Sequence, residues 1–463
     1  MRVPGSGFRV RCLVLGASCL CALPGALRPA PHREYGTRNL QDAPALLFIG
    51  IDGLRPDYVL EAERHGLKIP NLRRFLLAGA HATSVTGVTP AVTYPSFTTL
   101  ITGRAPAGHG VVANNTFDPF GRNQNGWYWY SEDVTSESLW DAAAVAGRTV
   151  ANVHWPVSVG GRITWNLPQL WRTGTPDDRK LLRALSTPGL ERELEARVGR
   201  AYADGIDESL QGDETRGRYA AALIEKHRPR VTTVYLTALD HEQHEKGPFT
   251  PEAFAVLERI DGIVGDLLDV AARIYGDRAV VAVASDHGFA TTNREVNLTA
   301  ALAQAGLVTY EATQVKDWKA VVWGAGGSAA IMLRDSADAV SRETVRALLA
   351  RLEANPDNGI GQVIDAVELK RRGAFSGAAF AVEFASGFRQ GYAASGPLVT
   401  VGRKAGTHGY FSERLDMRSA FFVMGPGVTP GRNLGDIDMR DIAPTLAKLV
   451  GLQLSRAEGL PLW

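Results

Sequence analysis

Four short runs place acidic and imidazole side chains where they could share cations. Asp52 follows the apolar run 46–51 and precedes Gly53, which lets the backbone turn sharply. Asp240 and His244 stand four apart in Leu-Asp-His-Glu-Gln-His-Glu-Lys-Gly-Pro, so one helical turn would bring both onto one face. Asp286 and His287 follow the apolar run 279–284 and precede Gly288, and His408 lies in Gly-Thr-His-Gly-Tyr. Taken alone, an Asp at a strand end is more often a turn cap, and a lone loop histidine is unremarkable. A buried strand running straight into Asp286 and His287 is the sharper signal, because such groups are costly to bury unless they bind a cation or pair with each other. His241 is adjacent to Asp240, so its side chain diverges, and it reads as a supporting or surface histidine.

Together these loops offer three carboxylates and three imidazoles with no nearby thiol. Nitrogen and oxygen donors in this proportion suit two Zn2+ ions better than magnesium or calcium, while Mn2+ or Fe also fit by ligand type. A nucleophile is offered by Val-Thr-Pro-Ala-Val-Thr-Tyr-Pro-Ser-Phe-Thr-Thr-Leu, where Thr93 enters a predicted helix. There the positive end of the helix dipole would favour a developing alkoxide and a bound phosphate. The plainer alternative is that Thr93 only caps that helix.

The elements that must position these residues follow from apolar runs alternating with helical patterns, which predicts an α/β fold with a doubly wound, mostly parallel sheet and helices on both faces. Runs 46–51, 231–236, 279–284 and 420–424 read as buried strands. Helices are predicted over 71–78, 139–146, 213–226, 252–274, 342–353 and 438–449. The stretch 296–405 separates two motif-bearing parts and reads as an inserted subdomain. At 463 residues and 45% hydrophobic composition the chain can build a large core. Its net charge of +1 is dispersed, so no basic track points to nucleic acid or to an anionic membrane.

Residues 1–26 have the form of a signal peptide, with Arg2, Arg9 and Arg11 ahead of the apolar run 12–23. The run is too short to span a bilayer comfortably. Cys12, Cys19 and Cys21 all lie inside it, so the remaining domain, 27–463, would carry neither thiol nor disulfide. The expectation is a periplasmic or secreted protein that rests on its core rather than on cross-links.

The ordered motifs resemble the nucleotide pyrophosphatase/phosphodiesterase branch of the alkaline phosphatase superfamily across most of the chain. The resemblance implies an alkaline-phosphatase-like catalytic domain that hydrolyses small phosphate esters or nucleotides. Asp52 matches the first metal aspartate, Thr93 before Tyr94-Pro95 matches the nucleophile, and Asn114 matches an asparagine facing the phosphate. Asp240, His244 and His408 would then hold one zinc, and Asp52, Asp286 and His287 the other beside Thr93. Tyr94 corresponds to an aromatic that stacks on a nucleoside, and the cluster 127–130 (Trp-Tyr-Trp-Tyr) either extends that wall or packs a loop.

Some residues depart from the pattern. Val92 stands where many diesterases have lysine, and Ser96-Phe97 replaces the usual Asn-His. No Lys-x-Arg or Lys-x-Lys element lies around residues 154–162 to clamp extra phosphate charge, although Arg162 is present. The alternatives are a phosphomonoesterase, a phosphonate or lipid-headgroup hydrolase, and a zinc-stabilised binding protein. Oligomeric state is not readable from this sequence.

Overall fold

The apolar runs become neighbours in one eight-stranded sheet. The computed structural model describes residues 43–123, 126–312 and 314–463. The expected leader at 1–26, with its three cysteines, lies outside them. The strand order is Arg432–Asn433, Ala80–His81, Phe421–Met424, Ala279–Ala284, Ala45–Ile51, Val231–Leu236, Val150–Val153, Trp165–Leu167. From Ala279–Ala284 to Trp165–Leu167 every pair is parallel. Phe421–Met424 runs antiparallel to Ala279–Ala284, a reversal within the mostly parallel sheet that its apolar sequence does not reveal.

Strand Ala45–Ile51 is buried on both sides, and its side chains alternate between two cores. Leu47, Ile49 and Ile51 join the core beneath helices Leu210–His227 and Pro251–Tyr275. Leu46 and Phe48 join the core beneath helices Thr93–Thr102, Leu139–Val145 and Ile442–Leu449. Helices therefore cover both faces, as the alternating pattern requires. The predicted helix at 438–449 is split into a 3-10 turn, Met439–Asp441, and the α-helix Ile442–Leu449.

The stretch 296–405 supplies a four-stranded antiparallel sheet in the order Ala320–Gly324, Ser328–Leu333, Phe380–Phe384, Ile360–Asp365. Helices Leu298–Gln304, Ala339–Glu353 and Ala366–Arg372 pack on a core that also takes in Ala91, Val92, Tyr410 and Phe411. This core thus supports the loops that carry Thr93 and His408.

Candidate metal and active site

Asp52 leaves the carboxyl end of strand Ala45–Ile51, and Asp286 leaves the neighbouring parallel strand Ala279–Ala284. Because Gly50 is paired with Ala284, both aspartates emerge at the same edge of the sheet. Gly53 adopts a φ of 70°, and its N–H donates to Asp286 Oδ1 at 3.1 Å. The Leu54 N–H donates to Ser285 Oγ at 2.8 Å, so the two strand ends are tied together. His287 Nε2 lies 2.9 Å from Asp286 Oδ2 and 3.4 Å from Asp52 Oδ1. A Cβ on Gly288 would meet the Asp416 carbonyl at 2.2 Å, which fits the expected close approach after the Asp-His pair. Tyr235, paired with Gly50 on the next strand, donates its hydroxyl to Asp52 Oδ2.

The other ligand group comes from a helix and a loop. Asp240 and His244 share one face of helix Ala238–Lys246, with His244 Nε2 3.4 Å from Asp240 Oδ2. His408 follows strand Val399–Thr407 and brings Nε2 to 3.7 Å from Asp240 Oδ1. The start of the helix is held by Asp213, which accepts from the N–H groups of Thr237 at 2.8 Å and Ala238 at 3.0 Å. Fully buried Arg216 pairs with Asp213 and donates to Thr237 Oγ1 at 2.6 Å. Neither residue stood out in the sequence, where they read as ordinary polar positions of a helix.

All six expected ligands are therefore assembled, in two groups whose donor atoms lie within 4.8 Å of one another. The groups adjoin, since the His287 and His408 rings stack at 3.6 Å with 8° between their planes. His241 joins neither group; its Nδ1 lies 3.5 Å from Glu208 Oε2 at the rim.

The three imidazoles are oriented alike. Nδ1 of His287 faces the Gly288 carbonyl at 3.1 Å, Nδ1 of His408 the Ala91 carbonyl at 3.1 Å, and Nδ1 of His244 the Gly406 carbonyl at 3.3 Å. A carbonyl only accepts, so each Nδ1 carries a proton, and each ring in its neutral form presents a lone pair at Nε2. Those lone pairs meet carboxylate oxygens: Asp52 Oδ1, Asp240 Oδ1 and Asp286 Oδ2 are buried and have no hydrogen-bond donor. Electron-rich atoms converging on buried carboxylate oxygens call for cations, so the residues fit a two-metal centre.

Titration behaviour carries the same message. Burial, reinforced by the charges of Asp240 and Asp286, holds the Asp52 carboxyl well above the usual carboxylate range. Burial also raises Asp240, against the pull of His244 and His287. Burial opposes charge on Asp286, but His287 beside it brings the carboxyl below its ordinary value. Burial would lower His287, yet Asp286 raises it. His408 is pushed well down by burial and by its neighbours His287 and His244.

Thr93 is the first residue of helix Thr93–Thr102, and its Oγ1 lies 3.4 Å from His287 Nε2. The side chain of Val92, the N-cap position, makes no capping hydrogen bond. Asn114 Oδ1 accepts from the Tyr94 N–H at 2.9 Å, which fixes the amide beside Thr93. Thr93, Asn114 and ligands of both groups line one cleft of about 910 Å3, whose walls include Trp127 and Trp171. The Tyr94 ring is fully buried, donates its hydroxyl to Gln169 Oε1 at 2.7 Å and packs edge-on against Trp127 at 5.1 Å. The partly exposed indoles of Trp127 and Trp171 thus form the open aromatic surface. Trp171 had no sequence signal, because it lies outside every motif.

A family model described as type I phosphodiesterase / nucleotide pyrophosphatase matches residues 46–410, a span that contains all nine expected site residues. The chain belongs to this family, within the alkaline phosphatase superfamily. Ectonucleotide pyrophosphatase/phosphodiesterase family member 1 of Homo sapiens is 23% identical over 259 residues, covering 53% of this chain and 24% of that protein. Bis(5'-adenosyl)-triphosphatase of Homo sapiens is 24% identical over 262 residues, covering 55% of this chain and 50% of the relative. The chain thus spans between a quarter and a half of these two relatives. The solved structure of murine ectonucleotide pyrophosphatase / phosphodiesterase 5 superposes with a TM-score of 0.63 at 19% identity, covering 90% of this chain and 97% of that one, and an inactive variant of it was solved in complex with AMP. That likeness shows that this family member has the same fold.

Proposed function

We propose that this protein is an exported two-zinc hydrolase that cleaves phosphate diesters or nucleotide phosphoanhydrides through a covalent intermediate on Thr93. The observation that carries the reading is the position of Thr93 Oγ1, 3.4 Å from His287 Nε2 at the first turn of a helix, on the cleft where both ligand groups meet. Asp240, His244 and His408 would hold one zinc, and Asp52, Asp286 and His287 the other beside Thr93. The donor set favours zinc, and Mn2+ or Fe would find the same ligands acceptable. When bound, such ions supply the positive charge that offsets the alkoxide and the phosphoryl oxygens.

Thr93 Oγ1 forms its bond to phosphorus as the bond to the leaving oxygen breaks, and the threonyl proton ends on the leaving group. Water then attacks from the vacated side, the phosphorus–Thr93 bond breaks, and the hydroxyl is restored. The N-terminus of helix Thr93–Thr102 stabilises negative charge on the reacting phosphate. Asn114, its Oδ1 engaged by Tyr94, offers Nδ2 to a non-bridging oxygen, and losing such a donor typically costs about 2.7–4 kcal/mol of barrier. Arg162 lines a different cavity, with Ser131 and Arg456, and is not among the described residues lining the cleft of Thr93.

The test compares the zinc-loaded protein with Thr93→Ala on bis(p-nitrophenyl) phosphate, thymidine 5'-p-nitrophenyl phosphate and p-nitrophenyl phosphate. Diester hydrolysis should exceed that of the monoester, and Thr93→Ala should lose roughly a thousandfold or more in turnover while retaining its zinc. Preference for the monoester, or undiminished turnover in the variant, would overturn the reading. Export predicts removal of about the first 26 residues, which N-terminal sequencing of protein recovered from the periplasm or medium would check.

A further inference from the structure

Beyond the metal ligands, the cleft has an unusual balance of charge. Among its described lining residues the only Lys or Arg is Arg179, and its guanidinium lies 3.3 Å from Asp204. Acidic side chains stand on the same walls. Asp178 accepts from the N–H groups of Arg172, Thr173 and Gly174 and is held below the usual carboxylate range, since these bonds outweigh its burial. Glu208, half-exposed, faces His241 across 3.5 Å. Glu208 thus shares one cleft with Tyr94, the residue beside the nucleophile, and with Asp240, His244 and His408.

The same cleft carries the Trp127 and Trp171 rings, 5.4 Å apart at 65°. An aromatic face with negative carboxylates nearby attracts apolar and cationic groups and repels anionic ones. Beyond the metal centre, the remaining negative charges of a polyphosphate chain would pass Glu208, where the one arginine among the described lining residues, Arg179, is already paired with Asp204.

We propose that Glu208 makes the cleft selective for phosphodiesters whose organic substituents carry no further negative charge, with neutral aromatic or alkylammonium esters preferred over nucleoside polyphosphates. This rests on the hydrolase reading above and narrows it. Glu208 acts as a specificity-determining residue through its charge, while the attack of Thr93 on phosphorus stays the same for every substrate.

The experiment measures kcat/KM of the zinc-loaded protein for bis(p-nitrophenyl) phosphate, p-nitrophenyl phosphorylcholine and ATP, in the native chain, Glu208→Gln and Glu208→Lys. The native protein should place both nitrophenyl esters at least about tenfold above ATP, and the ratio of choline ester to ATP should fall by about tenfold in Glu208→Gln and further in Glu208→Lys. Added salt should compress these differences, because they arise from screened charges. A purely structural role for Glu208 would lower all three substrates together and leave the ratio unmoved, which would overturn the proposal. ATP matching or exceeding the esters in the native protein would do the same while leaving the hydrolase reading intact. Absence of hydrolysis for all three, by contrast, would count against that reading itself.

Discussion

The two candidate ligand groups are built from different materials. Asp52, Asp286 and His287 sit at adjacent strand ends, with side chains at most 4% exposed, and are cross-tied by Gly53, Leu54 and Ser285. Asp240, His244 and His408 come from a short helix and a loop after a strand, and the His244 side chain is 40% exposed. The first group cannot shift without shifting the sheet, whereas the second is wetter and rests on a helix cap formed by Asp213 and Arg216. A cation in the strand-end group should exchange slowly and stay beside Thr93, and one in the helix-and-loop group should exchange faster.

Breaking the strand-end group should have the largest effect. Asp286→Ala removes the acceptor of the Gly53 N–H and the partner of His287, and loss of one member of a buried ion pair costs about 3–5 kcal/mol. Activity should vanish and the denaturant midpoint should fall, as followed by circular dichroism.

Tyr235→Phe keeps the ring but removes the hydroxyl that holds Asp52 Oδ2. Zinc affinity at the strand-end group should drop about 10–100-fold, measured by competition with a chromogenic chelator, with little change in the other group. An equal loss at both would erase the proposed distinction.

His244→Ala, at a half-exposed position, should release one zinc at lower chelator concentration while changing folding stability by only about 1 kcal/mol. Metal counting by atomic emission separates this from Tyr235→Phe.

The smallest expected effect is the pH dependence of stabilisation by zinc. In the metal-free protein the raised Asp52 and Asp240 contribute stability that is full below their ordinary value of 3.8 and is lost as pH rises through their raised values. The raised His287 does the same from 6.5 upward. Depressed His408 and Asp286 act in the opposite direction, His408 losing its contribution as pH falls below 6.5 and Asp286 as pH falls below 3.8. Zinc replaces the protons on Asp52, Asp240 and His287, so the melting-temperature gap between loaded and chelated protein should widen from pH 5 to pH 8. A gap that narrows would contradict this.

Much of the candidate site was legible because the residues brought together directly follow apolar runs or share one helical turn. Asp52, Asp286 and His287 are announced by the strands before them, and Asp240 with His244 by their spacing. What escaped depends on contacts across the sheet. Tyr235 looked like one more core residue of strand Val231–Leu236, and only its register opposite Gly50 places the hydroxyl on Asp52. Asp213 and Arg216 cap a helix more than twenty residues away in the chain, which local pattern cannot foresee. The reversed direction of Phe421–Met424 has the same origin, since an apolar run does not record its partner's orientation.

The central claim is that six scattered side chains cage two cations next to one threonine oxygen. Anomalous diffraction at the zinc absorption edge, from crystals of the zinc-loaded protein, tests it most directly. The account predicts two peaks roughly 3.5–4 Å apart, one among Asp52, Asp286 and His287 and one among Asp240, His244 and His408, with Thr93 Oγ1 facing the first. A single peak, or two peaks elsewhere in the molecule, would contradict it.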